Sequence, residues 1–104
     1  MSIESIDSVR STKIVATLGD FSSEYEMLSQ LCAAGVNVFR LNFSHGTRQQ
    51  QGARIEKIRK LEAEIGAPSC VLVDLQGPKF RVGKVVPGTV VEAGQRITFD
   101  LNTK

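Results

Sequence analysis

The sequence of 104 residues is poor in the features that mark several protein classes: it has no tryptophan, one histidine, two cysteines and a net charge of only +2. So small a charge bias argues against a densely anionic partner, such as nucleic acid or an anionic membrane surface. No apolar run approaches the roughly 20 residues of a membrane-spanning helix. The first ten residues are polar and resemble neither a signal peptide nor a transit peptide, so we expect a cytoplasmic protein.

The two cysteines, Cys32 and Cys70, are far apart in the sequence and lack metal-ligand spacing. A single histidine does little to complete a zinc site, which argues against one. The number of cysteines alone would allow a disulfide. Because both lie in apolar segments, we instead predict two reduced, buried thiols.

Three short apolar segments alternate with two segments of helical periodicity. The predicted strands cover residues 13–18, 36–41 and 70–73, and the predicted helices lie between them. These strands lack the alternation of apolar and polar residues that is typical of an antiparallel sheet with one solvated face. This favours a parallel sheet covered by helices. The sequence therefore predicts an α/β fold that begins with a βαβαβ unit.

Two capping boxes mark the predicted helix starts, Ser23 with Glu26 and Thr47 with Gln50. In each pair, the two side chains can satisfy each other's free backbone donors. The second helix carries one apolar face, which consists of Ile55, Ile58, Leu61 and Ile65. We expect it to end at Gly66.

The pattern changes after about Val82. Glycine and proline interrupt short β-type runs at 90–92 and 97–99, and the turn around Gly94 between them predicts an antiparallel hairpin. We therefore divide the chain into an extension (1–9), an α/β unit (10–82) and the start of a β-rich unit (83–104). The last stretch is too short to form an independent β domain.

Polar residues gather where the predicted strands end. Because parallel strands point the same way, their carboxyl ends form one rim, and α/β proteins bind ligands at such a rim. The residues expected there are Thr17, Arg40, Asn42, Ser44, His45, Asp74, Gln76, Lys79 and Arg81.

Arg40 and Arg81 suit an anionic ligand, because a guanidinium can hold two phosphate oxygens at once. Each could instead pair with a surface carboxylate. Asp74 ends an apolar strand and needs a cation, a positive side chain or backbone donors. It could share a cation site with Asn42 and Ser44, cap the strand end, or pair with a lysine. Asn42 and Ser44 could equally form an ordinary capped turn.

Three longer motifs resemble those of the pyruvate kinase family. They are RSTKIVATLG at 10–19, NVFRLNFSHGT at 37–47 and DLQGPKFRVG at 74–83, in the order and at the separations usual for the family. The resemblance implies the first βαβαβ portion of a TIM (β/α)8 barrel, followed by the start of a β-rich lid domain. It also implies phosphoryl transfer from phosphoenolpyruvate to ADP, giving pyruvate and ATP in glycolysis.

The same resemblance implies roles for individual residues. Arg40 would contact the substrate phosphate. The residues on the nucleotide-phosphate side would be Asn42, His45 and Arg81. The implied monovalent-cation site consists of Asn42, Ser44, Asp74 and Leu75. Potassium-requiring members typically carry glutamate at the position of Lys79. The lysine resembles potassium-independent members, in which its ammonium replaces the ion.

The resemblance also implies parts that lie outside this stretch. Mg²⁺ is the implied cofactor, but its carboxylate ligands and the catalytic lysine are expected further along, so we expect the isolated chain to be inactive. Full-length members are homo-oligomers, usually tetramers. The alternatives are a non-catalytic phosphate-binding module and one half of a split enzyme. One departure is Asp20, which stands where the family usually has proline and adds a negative charge just beyond the first strand.

Overall fold

The computed structural model describes residues 10–101, so the predicted extension 1–9 lies outside it. Within this range the chain follows the predicted βαβαβ order. The elements are β1 (Ile14–Thr17), α1 (Tyr25–Ala33), β2 (Val36–Asn42), α2 (Arg48–Ile65) and β3 (Cys70–Asp74). The strands form a parallel sheet in the order β1-β2-β3. The α/β class and the parallel sheet are therefore confirmed.

Strand β2 lies at the centre of the sheet and divides its side chains between the two faces. Phe39 and Leu41 are fully buried, whereas Arg40 between them is only half-buried. Phe39 lies in register with Ala16 of β1 and Val71 of β3. Because successive side chains of a strand alternate in direction, Arg40 belongs to the face opposite Phe39.

Both helices cover the face that carries the buried residues of β2. Leu28 of α1 and Ile58 and Leu61 of α2 are at most 1% exposed. Burying a side chain of this size contributes about 1.5–3 kcal/mol to stability. Ile55 and Ile65 pack against the same core, which confirms the predicted apolar face of α2. Neither α1 nor α2 is long and apolar enough to span a membrane.

No element among residues 10–101 covers the opposite face of the sheet, so it is open. On it, Val15 of β1 is 52% exposed and Leu72 of β3 is 41% exposed. The prediction of two buried thiols is wrong for Cys70, which is exposed because it begins β3 on this open face. Cys32 is partly buried against the core. No disulfide joins the two cysteines in the part of the chain that the structure describes.

The start and end of α2 follow the predicted signals. The Thr47 hydroxyl accepts the Gln50 N–H at 3.2 Å, and the Gln50 side chain accepts the Thr47 N–H at 2.8 Å. This capping box is confirmed. Gly66 ends the helix in the left-handed region, with φ 74°.

The start of α1 differs from its prediction. Glu24 occupies the cap position, and no side chain caps the helix. The capping box of Ser23 and Glu26 is therefore wrong. The reason is that the Ser23 hydroxyl donates instead to the carbonyl of Gly19, in the turn that follows β1.

Residues 75–101 contain no helix or strand, and all of them are exposed. The predicted hairpin is therefore wrong in its strands, although its turn forms. The Gln95 N–H donates to the carbonyl of Glu92 at 3.1 Å, and Gly94 has φ 84°. A lone two-stranded hairpin is marginally stable in water at best, which accounts for the absence of strands in this exposed segment.

One carboxylate holds the connection between α2 and β3. Glu62 accepts hydrogen bonds from the backbone N–H of Ser69 and from Nη1 of Arg59, each at 2.7 Å. Burial raises the pKa of the Glu62 carboxyl. The hydrogen bonds from Arg59 and Ser69 outweigh burial and hold this pKa below its ordinary value of 4.5. The charged form of Glu62 therefore stabilises the folded chain.

We expect the free energy of unfolding to fall in acid, in part through Glu62. The pKa of its carboxyl is lower in the folded than in the unfolded chain. The stability that the Glu62 carboxylate contributes is therefore fully present above the unfolded-state pKa. It is lost as the pH falls through the folded-state pKa. Glu62→Gln, which keeps an acceptor for Ser69, should make the acid side of the profile shallower. Urea unfolding measured from about pH 3 to 7 tests this.

Glu56→Gln is the matched control, because it removes an exposed carboxylate from the same helix. It should retain the wild-type profile. An acid slope for Glu62→Gln equal to that of the wild type would show that the Glu62 carboxylate does not hold the connection through its charge.

Candidate functional site

The guanidinium of Arg40 joins the carboxyl ends of the three strands. Its Nη1 donates to Oγ1 of Thr17 at 3.1 Å, at the end of β1. Its Nη2 forms an ion pair with the Asp74 carboxylate, at the end of β3. The Arg40 side chain is 30% exposed, so solvent and solutes can reach it. Three residues that the sequence assigns to one rim are thus in contact.

Asp74 takes Arg40 as its positive partner. Its backbone carbonyl also accepts the Phe43 N–H at 3.0 Å, which ties β3 to the loop after β2. Of the alternatives open for this carboxylate, the structure realises an ion pair, with arginine in place of the expected lysine. Leu75 and Lys79 are exposed beyond β3. Neither forms a hydrogen bond or an ion pair with the Asp74 carboxylate among the described residues, and the roles assigned to them stay predictions.

The loop between β2 and α2 gathers three further residues of the rim. Oδ1 of Asn42 accepts the Ser44 N–H at 3.1 Å, and the His45 N–H donates to the carbonyl of Asn42 at 3.2 Å. Nη2 of Arg81 lies 3.5 Å from Oγ of Ser44. Asn42, Ser44 and His45 therefore form a capped turn, and Arg81 reaches it through Ser44. Their roles in ligand binding stay predictions.

Gln51 supports this loop, although no motif marks it. It is 2% exposed, and its Nε2 donates to the carbonyls of Asn42 at 3.0 Å and His45 at 2.9 Å. A signal for it exists in the sequence. Gln51 lies four residues before Ile55 and seven before Ile58, on the apolar face of α2, where a polar side chain needs internal partners. Gln51 fixes the loop to the helix that follows it.

A cleft of about 420 Å³ opens beside the rim, between the loops that follow β1 and β2. The residues that line it are Thr17, Leu18, Gly19, Asp20, Asn42, His45, Gly46, Gln50 and Arg54. Asp20 and Arg54 form an ion pair on its wall, with Oδ1 and Nη2 3.0 Å apart. The cleft thus combines room for a small-molecule group with side chains that can donate hydrogen bonds to it.

The described residues do not form a divalent-metal site. Between residues 10 and 101, no group of three or more histidine, cysteine or acidic side chains could hold a metal ion. The carboxylate of Asp74 is engaged by Arg40. The ligands of the Mg²⁺ that the resemblance implies are expected further along the chain, and that expectation stays a prediction.

Comparison with known proteins identifies the family to which this rim belongs. A family model described as the barrel domain of pyruvate kinase matches residues 9–104. The chain belongs to the pyruvate kinase family. It is similar to three pyruvate kinases in particular. That of Methylorubrum extorquens is 50% identical over 92 residues, which are 88% of this chain and 19% of that protein.

The pyruvate kinase of Agrobacterium vitis is 51% identical over 83 residues, 80% of this chain and 18% of that protein. The pyruvate kinase of Staphylococcus saprophyticus is 42% identical over 94 residues, 89% of this chain and 16% of that protein. The chain thus spans less than a fifth of the length of these pyruvate kinases. The family match includes every residue of the rim and of the cleft.

Replacing Gln51 by leucine should loosen the β2–α2 loop of this pyruvate kinase segment. The change keeps the side-chain volume but removes the Gln51 donor from the carbonyls of Asn42 and His45. The Asn42 carbonyl keeps its hydrogen bond from the His45 N–H, so we expect a cost of about 0.5–1.5 kcal/mol for each hydrogen bond lost. We expect a lower urea midpoint and faster amide hydrogen exchange at residues 43–46. Gln49→Leu, at an exposed position of the same helix, is the control and should change neither. Unaltered exchange at 43–46 in Gln51→Leu would refute the supporting role of this side chain.

Proposed function

We propose that this chain supplies the amino-terminal part of the phosphate-binding rim of a pyruvate kinase. The reaction is phosphoryl transfer from phosphoenolpyruvate to ADP, giving pyruvate and ATP. The observation that carries the proposal is the position of Arg40, whose guanidinium spans the ends of β1 and β3 and remains partly exposed. Membership of the pyruvate kinase family supports the same reaction.

Arg40 is the residue proposed to bind the phosphate of phosphoenolpyruvate. Its present partners are a hydroxyl and a half-exposed carboxylate, Thr17 and Asp74. Ion pairs with exposed carboxylates are weak, whereas a guanidinium can bind two phosphate oxygens in parallel. Arg40 can therefore exchange Asp74 for a phosphate at small cost.

The nucleotide phosphates are proposed to bind on the other side of the rim, at Asn42, His45 and Arg81. Arg81 reaches the β2–α2 loop through Ser44, and His45 lines the adjoining cleft. These groups supply hydrogen-bond donors and positive charge next to Arg40. Such an arrangement stabilises the charge that develops on oxygen during phosphoryl transfer.

The architecture proposed for the whole protein is a TIM barrel with a β-rich lid that begins near residue 83. Support comes from the parallel order β1-β2-β3 with both helices on one face. The open face, with Val15 and Leu72 exposed, would line the inside of a barrel. Closing a barrel takes about 250 residues, so we propose that turnover needs more of the protein. Mg²⁺ would be held by carboxylates from that remainder.

The setting proposed for the whole protein is also that of the family. It would act in glycolysis in the cytoplasm, as a homo-oligomer and usually a tetramer. Neither nucleic acid nor a membrane is proposed as a partner, in keeping with the net charge of +2.

The proposal predicts activity in a chimera and none in the isolated chain. In the chimera, residues 9–104 replace the matching segment of the Methylorubrum extorquens pyruvate kinase. A lactate-dehydrogenase-coupled assay should detect pyruvate only with the chimera. Arg40→Gln should lower its kcat/KM for phosphoenolpyruvate roughly 10- to 100-fold, because it loses a charged hydrogen bond worth about 1.5–3 kcal/mol.

Arg48→Gln is the control for this substitution, because it removes an exposed arginine at the start of α2. It should leave kcat/KM within about twofold, as for an ordinary surface change. Pyruvate formation by the isolated chain would overturn the claim that more of the barrel is needed. A folded but inactive chimera would overturn the assignment of the rim.

We further propose that the ammonium of Lys79 serves in place of a monovalent cation near Asp74. A fixed positive charge at this point makes a mobile one unnecessary. Asp74 is paired with Arg40 in the structure. When phosphate draws Arg40 away, the ammonium of Lys79 can take its place beside the carboxylate, because Lys79 follows Asp74 by five residues on the exposed segment after β3.

Activity of the chimera should accordingly be flat from zero to high potassium. Lys79→Glu should create a potassium requirement, seen as a rise of roughly tenfold or more, equivalent to about 1.4 kcal/mol. Lys84→Glu makes the same charge reversal at another exposed lysine and should leave the chimera independent of potassium. Strong potassium activation of the unmodified chimera would refute the role given to Lys79.

A further inference from the structure

The cleft beside the rim contains an ion pair that the proposed phosphate sites do not use. Asp20 lies in the loop after β1 and Arg54 in the second turn of α2, and their side chains meet at 3.0 Å on the wall of the cleft. Asp20 places a negative charge beside the proposed phosphate site, where it opposes the binding of an anion.

Arg54 is built into the wall. Its side chain is only 11% exposed. Its Nη1 donates to Oε1 of Gln51 at 3.3 Å, and Gln51 in turn holds the carbonyls of Asn42 and His45. The guanidinium is thus fixed from behind to the same loop that carries the nucleotide-side residues. Such a group loses little conformational freedom when it binds a ligand.

Asp20 is held far less firmly. Its side chain is 91% exposed, and it follows Gly19 in a turn closed by a hydrogen bond from the Ser22 N–H to the Gly19 carbonyl at 3.2 Å. Water screens an ion pair with so exposed a carboxylate, so the pair contributes little to the stability of the fold. Arg54 can therefore change partner without a large loss.

We propose that Arg54 is a phosphate-binding residue of the cleft and that Asp20 is an internal counter-ion that competes with the ligand for it. This inference rests on the proposed function, which places nucleotide phosphates on this side of the rim. In the structure the Asp20 carboxylate is paired with the Arg54 guanidinium. A phosphate that enters must displace the Asp20 carboxylate from Arg54. The cleft therefore binds anionic ligands more weakly than it would without the charge of Asp20.

The ligand class follows from the charge. A nucleoside diphosphate carries the negative charge needed to compete with Asp20, whereas the neutral nucleoside does not. Removing the Asp20 charge should therefore tighten binding of ADP and leave binding of adenosine unchanged. The gain should require Arg54, because the competition is for its guanidinium.

The test titrates ADP and adenosine into the full chain, with Kd measured by nuclear magnetic resonance. The proteins are the wild type, Asp20→Asn, Arg54→Gln and the double variant. Asp20→Asn should tighten ADP binding roughly two- to fivefold, the range that an exposed ion pair spans. The same change in the Arg54→Gln background should have no effect. The Nε–H resonance of Arg54 in the wild type should shift when ADP is added.

Glu24→Gln is the matched control. Glu24 is an exposed carboxylate four residues after Asp20 that pairs with Lys57 at 3.2 Å, and it does not line the cleft. Its loss should leave the Kd of ADP unchanged. If Arg54→Gln fails to fold, Asp20→Asn and the Arg54 resonance in the wild type still decide the question.

The outcomes separate this inference from the proposed function. ADP binding that Asp20→Asn does not tighten, or a gain that persists without Arg54, overturns the counter-ion role and leaves the rim intact. An Arg54 resonance that ADP does not shift has the same meaning. Absence of ADP binding in every protein overturns the inference together with the proposed nucleotide side of the rim.

Discussion

The alternation of side chains along β2 is the constraint on which the site depends. Phe39 and Leu41 must face the helices, because they are fully buried there against α1 and α2. Arg40 and Asn42 are consequently directed to the other face and to the end of the sheet. A shift of one residue in the register of β2 would bury a guanidinium and expose a phenylalanine. The core thus determines which way the side chains of the rim point.

Pairing with the neighbouring strands then decides what Arg40 meets. Parallel register places Thr17 beside Arg40, and it places Asp74 beside Asn42, two residues further along β2 and on the same face. The side chains of Thr17 and Asp74 are therefore within reach of one guanidinium. The electrostatics of the rim follow from strand direction and register, which are backbone properties.

Much of this arrangement could be predicted from the sequence, because it depends on local and periodic signals. The strands, the capping box of Thr47 and Gln50, and the stop at Gly66 are all encoded within a few residues. Predictions failed where a distant or competing partner decides the outcome. Ser23 has the residue type of a helix cap, but its hydroxyl is used by Gly19. The hairpin after residue 89 has a good turn, but the exposed segment provides no third element to stabilise its strands.

The site shows the same division. Chain order and strand direction were sufficient to bring Arg40, Asn42, Ser44 and Asp74 to one rim. They were insufficient to choose the partner of Asp74, since arginine and lysine were both available and only the folded sheet fixes the distance. Gln51 was missed because glutamine in a helix usually faces water. Its position on the apolar face of α2 indicates that it needs internal partners, but only the folded structure shows that these are the carbonyls of Asn42 and His45.

Helix α2 is fastened near both ends to the strands on either side of it. Gln51 holds the loop after β2, and eleven residues later Glu62 holds the entry to β3 through Ser69. At 1.5 Å per residue these anchors are roughly 16 Å apart. An α-helix is stiff along its axis, so α2 acts as a strut of fixed length. A displacement at the Ser69 end would therefore move the anchor of Asn42 and His45 as well, since both ends are held by the same helix.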